Sequence, residues 1–490
     1  MRPTIGSGSG PAHRRAAAAS VLAALALACA TNPATGKKEL MLVSESQEIA
    51  MGKEYDPSIV AEMGLYPDTA LQRYVTELGR RMAAVSERPH LPWTFRLLDD
   101  PLVNAFAVPG GYLYITRGIL AHFNSEAEFA TVMGHEIGHV TARHSAAQMS
   151  RQQIAQLGLA AGSIASKEVA RYAGTIGQGI GVLFLKYGRD DESEADGLGV
   201  RYMRRTNYDV RESPKVFAML GRVSEVAGDG SVPEWLSTHP DPGNREARLQ
   251  ELVQRLPPES LGTTVNRAGY LRRLEGVVYG DDPRQGYFQG TRFIHPDLAV
   301  EITFPNQWRT ANQARAVMAA SAEQDAVMSV SFARQRTPAE AAQAFFAQQG
   351  VTGGPPRQGQ INGLAASGGG FQAQTQDGAV AGSVAYVAKG DRVFQILGYS
   401  TAQGWQSYGP LVRTATQSFR VVTDPRLLGV QPRRLAIVTL DREMTLAEFS
   451  RRFPSTVPTA TLALINGVDS TAVLPRGAVV KRVVGGNGGR

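Results

Sequence analysis

A single cysteine, Cys29, stands among the 490 residues, which excludes a disulfide-stapled scaffold and any zinc site built on paired cysteines. One-sided charge is missing too: 51 Lys and Arg face 44 Asp and Glu, a formal excess of +7, with no dense basic run. That balance argues against a nucleic-acid partner. After residue 30 no apolar stretch reaches the roughly 20 residues that cross a bilayer, so no membrane-spanning helix is expected there. Core-forming residues are plentiful. With 43% hydrophobic and 7% aromatic positions, wholesale disorder is excluded. The length exceeds one ordinary core and predicts about two to four domains.

The first segment, residues 1–29, reads as an export signal. Arg14 and Arg15 precede an almost unbroken apolar run over residues 16–30, carrying Val21, Leu22, Leu25 and Leu27. Roughly 15 apolar residues behind basic ones suit a secretory signal better than a membrane span. The run ends on Leu25-Ala26-Leu27-Ala28-Cys29, which resembles a bacterial lipobox, with Ala26 where Leu is usual. Cys29 is the expected lipidation site, and the remainder is expected to be exported.

Residues 45–88 have helical spacing, with Leu71, Val75, Leu78 and Met82 on one face. The alternating run Trp93-Thr94-Phe95-Arg96-Leu97-Leu98 predicts a strand. Two more, at 104–108 and 112–116, flank the turn Pro109-Gly110-Gly111. From Ser125 to about His144 the pattern is helical, with Ser125 and Glu128 placed as a capping box. Residues 151–186 read as closely packed helices, and further helices are predicted near 190–206, 214–226 and 265–277. Asp281-Asp282-Pro283-Arg284 marks a boundary. Beyond it strands dominate, with loops at Gly353-Gly354-Pro355-Pro356 and Gly368-Gly369-Gly370, and a helix over 337–349. This gives a domain over 30–280, an α+β accessory domain over 285–425 and a small unit over 433–485.

The chemistry lies in the 30–280 domain. Gly134-His135-Glu136-Ile137-Gly138-His139 places H-E-x-x-H inside a predicted helix. One turn separates His135 from His139, so both imidazoles leave the same face and can grip one metal ion. Glu136, one step round, can reach a water beside that metal and act as general base. Two imidazoles in a helix as apolar as this one, with Val132, Met133, Ile137 and Val140, need polar partners. A second cluster, Arg189-Asp190-Asp191-Glu192-Ser193-Glu194-Ala195-Asp196, offers a third ligand. Glu192 is assigned to the metal, and Asp196, one turn on, to accepting an N–H from a ligand histidine. Glu194 points elsewhere. The competing reading of this cluster is a solvated acidic helix start favoured by the helix dipole. His144 is expected on the helix surface.

These motifs resemble the M48 zinc metallopeptidases, whose pattern is H-E-x-x-H followed by E-x-x-A-D, here His135–His139 and Glu192–Asp196. Asn104-Ala105-Phe106-Ala107-Val108-Pro109-Gly110-Gly111 and Asn32-Pro33-Ala34-Thr35-Gly36 resemble further family segments, in the right order. The likeness is to the bacterial periplasmic lipoprotein type, over about residues 32–275. It implies a mainly helical zincin (gluzincin-type) protease domain with a small β-sheet. It also implies one Zn2+ on His135, His139 and Glu192, with Glu136 as base. In Ser237-Thr238-His239-Pro240 it implies a histidine near the metal able to make the enzyme latent, with Arg245 orienting a carboxylate or a substrate carbonyl. Asn104, Ala105 and Phe106 are expected to bind substrate, and Tyr112–Thr116 is read as an edge to which an extended peptide adds.

The 285–425 region holds nothing that reads as an active site, and His295 beside Pro296 reads as a loop residue. Residues 433–485, in the order strand, helix, helix, strand, resemble a LysM-like βααβ module on the Leu-x-x-Asn-Gly and Leu-Pro-x-Gly pieces ending at Gly467 and Gly477. The resemblance implies a peptidoglycan glycan partner. A packing domain without a ligand is the other reading.

The whole is thus expected to be a multidomain α+β protein. Its expected activity is that of a zinc endopeptidase acting on misfolded or stalled cell-envelope proteins, in the periplasm and on the outer membrane through its lipid anchor. The competing expectation is a chaperone-like assembly or quality-control factor with a latent, His239-capped site. A wall-tethering protein is a third option, but it gives no reason to retain Glu136.

Overall fold

The computed structural model describes residues 29–161, 187–227, 235, 238–239, 242–313, 315–375 and 378–486. The export signal and most of the 151–186 segment therefore lie outside the described residues. Cys29 opens a short strand, Cys29–Thr31, paired antiparallel with Lys38–Leu40.

The first unit is mainly helical. Among the described residues its longer helices are α1 (Glu45–Met63), α2 (Thr69–Ala83), α3 (Glu126–Thr141), α4 (His144–Ala161), α5 (Arg189–Arg205), α6 (Ser213–Ala227), α7 (Pro242–Gln254) and α8 (Arg267–Arg273). The helical spacing of 45–88 is thus two helices, broken at Gly64, and the helix expected over 265–277 is shorter. Leu71, Val75, Leu78 and Met82 form the buried stripe of α2. Helix α3 has no polar face: all 16 of its residues are buried. Ser125 caps it by accepting from the Glu128 amide at 3.1 Å, while the Glu128 carboxylate accepts from the Asn124 amide at 2.7 Å.

The strands β1 (Thr94–Leu98), β2 (Ala105–Val108) and β3 (Tyr112–Thr116) make a small mixed sheet in the order β1, β3, β2. Tyr112–Thr116 is therefore the central strand, parallel to β1 and antiparallel to β2, and offers no edge. The edge nearest α3 is β2. The short Pro109-Gly110-Gly111 turn returns β2 directly onto β3, while the longer connection from β1 allows β3 to lie parallel to it.

The accessory region is built on an antiparallel sheet of eight strands and a second sheet of four. Gly368-Gly369-Gly370 is not a loop but the middle of the strand Leu364–Thr375. A Cβ on Gly368 would lie 2.0 Å from the Val384 carbonyl oxygen, so glycine is there to let two strands approach, not to bend the chain. His295 likewise ends the strand Arg292–His295.

In the C-terminal unit the strands Arg433–Thr439 and Val479–Gly485 pair antiparallel around the helices Leu446–Arg452 and Thr459–Asn466. Its apolar side chains do not form a separate core. Leu435, Phe449, Leu462 and Val483 pack into the same cluster as Leu120, Phe123, Leu271 and Val277 of the first unit. Lys481, wholly buried, donates to the carbonyls of Ala121 at 2.9 Å and Phe123 at 2.7 Å across that junction.

Candidate metal centre

Helix α3 carries His135 and His139 one turn apart, and their Nε2 atoms face each other at 2.9 Å. Helix α5 lies against α3 closely enough to complete the group. The contact is made by small residues: a Cβ on Gly138 would stand 3.0 Å from the Ala195 carbonyl, and one on Gly199 would stand 3.1 Å from the His135 amide. Glu192 then reaches both rings, with Oε2 3.6 Å from His135 Nε2 and Oε1 3.5 Å from His139 Nε2. His239 joins from the opposite side, Nδ1 lying 2.9 Å from Glu192 Oε1 and 3.3 Å from His135 Nε2. One donor atom from each of these four buried residues lies within 4.8 Å of every other.

Asp196 sits one turn beyond Glu192 and accepts from His135 Nδ1 at 3.0 Å. That bond leaves His135 Nε2 with its lone pair towards the cluster. Arg245, on α7, is also wholly buried. It donates from Nε and Nη2 to Asp196 at 2.9 and 2.6 Å, while Nη1 lies 2.6 Å from Glu192 Oε2. Its guanidinium lies over Phe217 at 4.4 Å and Trp235 at 4.9 Å. Such a buried cation offsets the clustered carboxylates.

The electrostatics follow from this packing. Burial raises the Glu136 carboxyl to about 7, against the pull of His239. Burial also lowers His135 to about 4, helped by Arg245, and takes His139 well below its ordinary range. Burial alone would raise Glu192, yet His239, His139 and Arg245 outweigh it and keep the carboxylate ionised. His239 is raised, because Glu192 and Glu136 overcome its burial. Two neutral imidazoles beside an ionised carboxylate are the nitrogen and oxygen donors that suit zinc. Neither Glu136 oxygen has a hydrogen-bond partner within 3.5 Å among the described residues, although both are buried; the Trp235 indole and, at 3.6 Å from Oε1, His239 Nε2 stand beside them. A carboxylate in that position is complete only with a water or ligand on its open side.

The predicted substrate residues divide by strand alternation. Ala105 and Ala107 pack on the α3 side, whereas Phe106 turns away to stack on Tyr114 at 4.9 Å in the cluster with Ile59. Asn104 is buried with Oδ1 unpartnered, and its backbone pairs with Thr116. The Trp235 amide donates to the Val103 carbonyl at 3.4 Å, tying the His239 segment to the approach of β2.

His144 is buried, not on the surface. Arg143 takes a left-handed backbone, φ 61°, which turns the chain between α3 and α4. The His144 ring thereby comes back to His139, with the two Nδ1 atoms 2.9 Å apart. Glu194 points away from the four-residue group, as expected, and its Oε2 lies 3.1 Å from His144 Nε2. Two aromatic neighbours also escaped the sequence reading. Tyr187 stacks on His139 at 3.9 Å, and Trp235 stacks on His239 at 4.7 Å. Their only sequence signal was position, just before the acidic cluster and just before the Thr-His-Pro segment.

Residues 69–253 match the model of peptidase family M48. The chain is similar to a beta-barrel assembly-enhancing protease of Yersinia pestis, at 29% identity over 262 residues, 51% of this chain and 52% of that protein. The same-named protein of Escherichia coli is 29% identical over 237 residues, 46% of this chain and 48% of the relative. A mitochondrial metalloendopeptidase OMA1 of Arabidopsis thaliana is 32% identical over 183 residues, 37% of this chain and 36% of the relative. The matches to the two bacterial proteins span about half their length.

Proposed function

We propose, from an M48 peptidase domain at residues 69–253, that this chain is a zinc-dependent endopeptidase of the bacterial cell envelope. The observation that carries the reading is Glu136. Its two buried, unpartnered oxygens stand next to two neutral histidines and an ionised carboxylate. His135, His139 and Glu192 would hold the zinc, which supplies Lewis acidity towards a peptide carbonyl and towards water.

The chain's own residues do the rest. Asp196 fixes the His135 ring, and Arg245 holds Asp196 and Glu192 in place. Glu136, poised near neutrality, takes the proton from the attacking water and delivers it to the leaving amine. The outer edge of β2, with Ala105 and Ala107 towards α3, receives an extended substrate by strand addition. His239 lies 3.6 Å from Glu136 Oε1 and beside every ligand, which supports a resting state in which it caps the site.

The names of the relatives support envelope proteins in the course of assembly as substrates. Cys29, at the end of the lipobox-like run, is the proposed lipid attachment point on the outer membrane. Residues 433–485 remain the candidate for contact with peptidoglycan. The capped geometry favours one second reading, an assembly factor that binds clients with its zinc kept latent.

Zinc content and casein cleavage of the full chain, beside Glu136→Gln, test the proposal. About one zinc per chain is expected in both proteins, with cleavage lost by on the order of a hundredfold or more in the variant. Cleavage unchanged in Glu136→Gln, or no bound metal, overturns the peptidase. Zinc bound without cleavage in any variant supports the assembly factor.

A further inference from the structure

Asp196 orients His135, but among the described residues no carboxylate touches Nδ1 of His139. In its place stands a second imidazole. His139 Nδ1 and His144 Nδ1 are 2.9 Å apart, and His144 Nε2 is 3.1 Å from Glu194 Oε2. Both rings are buried, with exposures of 1% each, and Glu194 is half-buried at the outer end of the chain of bonds.

The direction of the hydrogen bonds is fixed by their far end. A carboxylate accepts, so His144 donates its Nε2–H to Glu194 and, as a neutral imidazole, presents the bare Nδ1 lone pair. That lone pair must accept from His139 Nδ1–H. His139 is then left with its Nε2 lone pair towards His135 Nε2 and Glu192 Oε1. The chain of bonds thus runs from Glu194 through His144 to His139, and it yields the same tautomer that Asp196 imposes directly on His135.

Other features are arranged to keep it. Arg143 holds the left-handed turn that aims His144 backwards, a conformation uncommon outside glycine, and is fixed there by Glu48 at 2.5 Å and the Val43 carbonyl at 2.7 Å. Tyr187 covers the His139 ring and donates or accepts at Ser145 Oγ, 2.8 Å away.

We propose that His144 and Glu194 are positioning residues for the metal, a two-step relay that sets the tautomer and orientation of His139. The proposal rests on the metal reading above. Removing the relay leaves His139 free to turn or to place its proton on Nε2, and weakened outer partners of this kind cost about ten- to a hundredfold in metal affinity.

Zinc affinity of the full chain, measured by chelator competition, is the test, beside the melting temperature of the metal-free protein. His144→Ala is expected to bind zinc about ten- to a hundredfold more weakly, and Glu194→Gln, which keeps an acceptor but loses the charge, less than tenfold more weakly. Imidazole nitrogen NMR of the zinc-loaded wild type is expected to place the His139 proton on Nδ1. Affinity in His144→Ala within about threefold of wild type, or the His139 proton on Nε2, overturns the relay. If His144→Ala does not fold, Glu194→Gln and the NMR tautomer decide: affinity equal to wild type in that variant overturns it. Wild type that binds no zinc overturns the metal reading instead.

Discussion

His239 Nε2 stands 3.6 Å from Glu136 Oε1, each side chain 1% exposed. In the proposed capped state the imidazole would block the approach of a water to the carboxylate. Among the described residues of its own segment, Trp235 holds that histidine, by the ring stack and by accepting the His239 N–H at its carbonyl at 2.8 Å. Replacing the ring by a methyl group opens the approach while His135, His139 and Glu192 remain. His239→Ala is therefore expected to cleave casein faster, by roughly tenfold, equivalent to about 1.4 kcal/mol of capping. Initial cleavage rates at matched zinc content check this, and a rate at or below wild type removes His239 from any capping role.

Lys481 joins the C-terminal unit to the first one through the carbonyls of Ala121 and Phe123. Burial pushes its amine well below the usual lysine range, with Glu128 opposing. Lys481→Ala leaves two buried carbonyls without a donor and a gap at the junction. A loss of about 2–4 kcal/mol in urea denaturation is expected. The exposed Arg476→Ala should change stability by less than about 0.5 kcal/mol.

His122 provides a pH dependence away from the metal centre. Burial lowers it from 6.5 to about 4, and its bond to the Gly118 carbonyl offsets only part of that. Above pH 6.5 the ring is neutral in both folded and unfolded chains and has no effect on stability. Between 6.5 and 4 only the unfolded chain takes up the proton, so the folded state loses about 1.4 kcal/mol per pH unit, about 3 kcal/mol over the window. Urea unfolding at about pH 7 and about pH 4.5 should show this loss in wild type and a smaller one in His122→Asn. Equal losses in the two proteins would refute the assignment.

Gly368 is needed for the approach of two strands. With 2.0 Å between its Cβ position and the Val384 carbonyl, Gly368→Ala must push backbone apart. The accessory region should lose about 1–3 kcal/mol, read from the buried Trp308 during unfolding. Zinc binding should be unchanged.

Zinc itself should stabilise the first unit. A ligand that binds only the folded chain at a thousandfold its dissociation constant adds about 4 kcal/mol. Thermal melts with zinc and with excess chelator are expected to separate for wild type and to coincide for His135→Ala.

Much of the centre was legible because it is written in local periodicity. One helical turn sets His135 against His139 and Glu192 against Asp196, and an all-apolar setting demands partners for polar groups. The strand positions of β1, β2 and β3 were equally readable from alternation and from the Pro-Gly-Gly turn. Which strand lies in the middle was not. That order depends on where the chain returns after β1, and Tyr112–Thr116 took the centre. The glycine triplet at 368–370 misled for a related reason: glycine serves close approach as well as turns, and only the neighbouring strand distinguishes the two.

The sequence by itself determined which residues are proposed as ligands and base and their spacing within each helix, since His135, Glu136 and His139 share one turn and Glu192 and Asp196 another. The tertiary structure alone decided what surrounds them. It brought His144 back to His139 through a left-handed Arg143 and set Glu194 of α5 against it, placed Arg245 between Asp196 and Glu192, and merged the C-terminal unit into the first core through Lys481. These contacts join residues far apart in the chain or reverse its direction, and no local pattern encodes them. They follow from which buried polar groups find partners once the helices are packed.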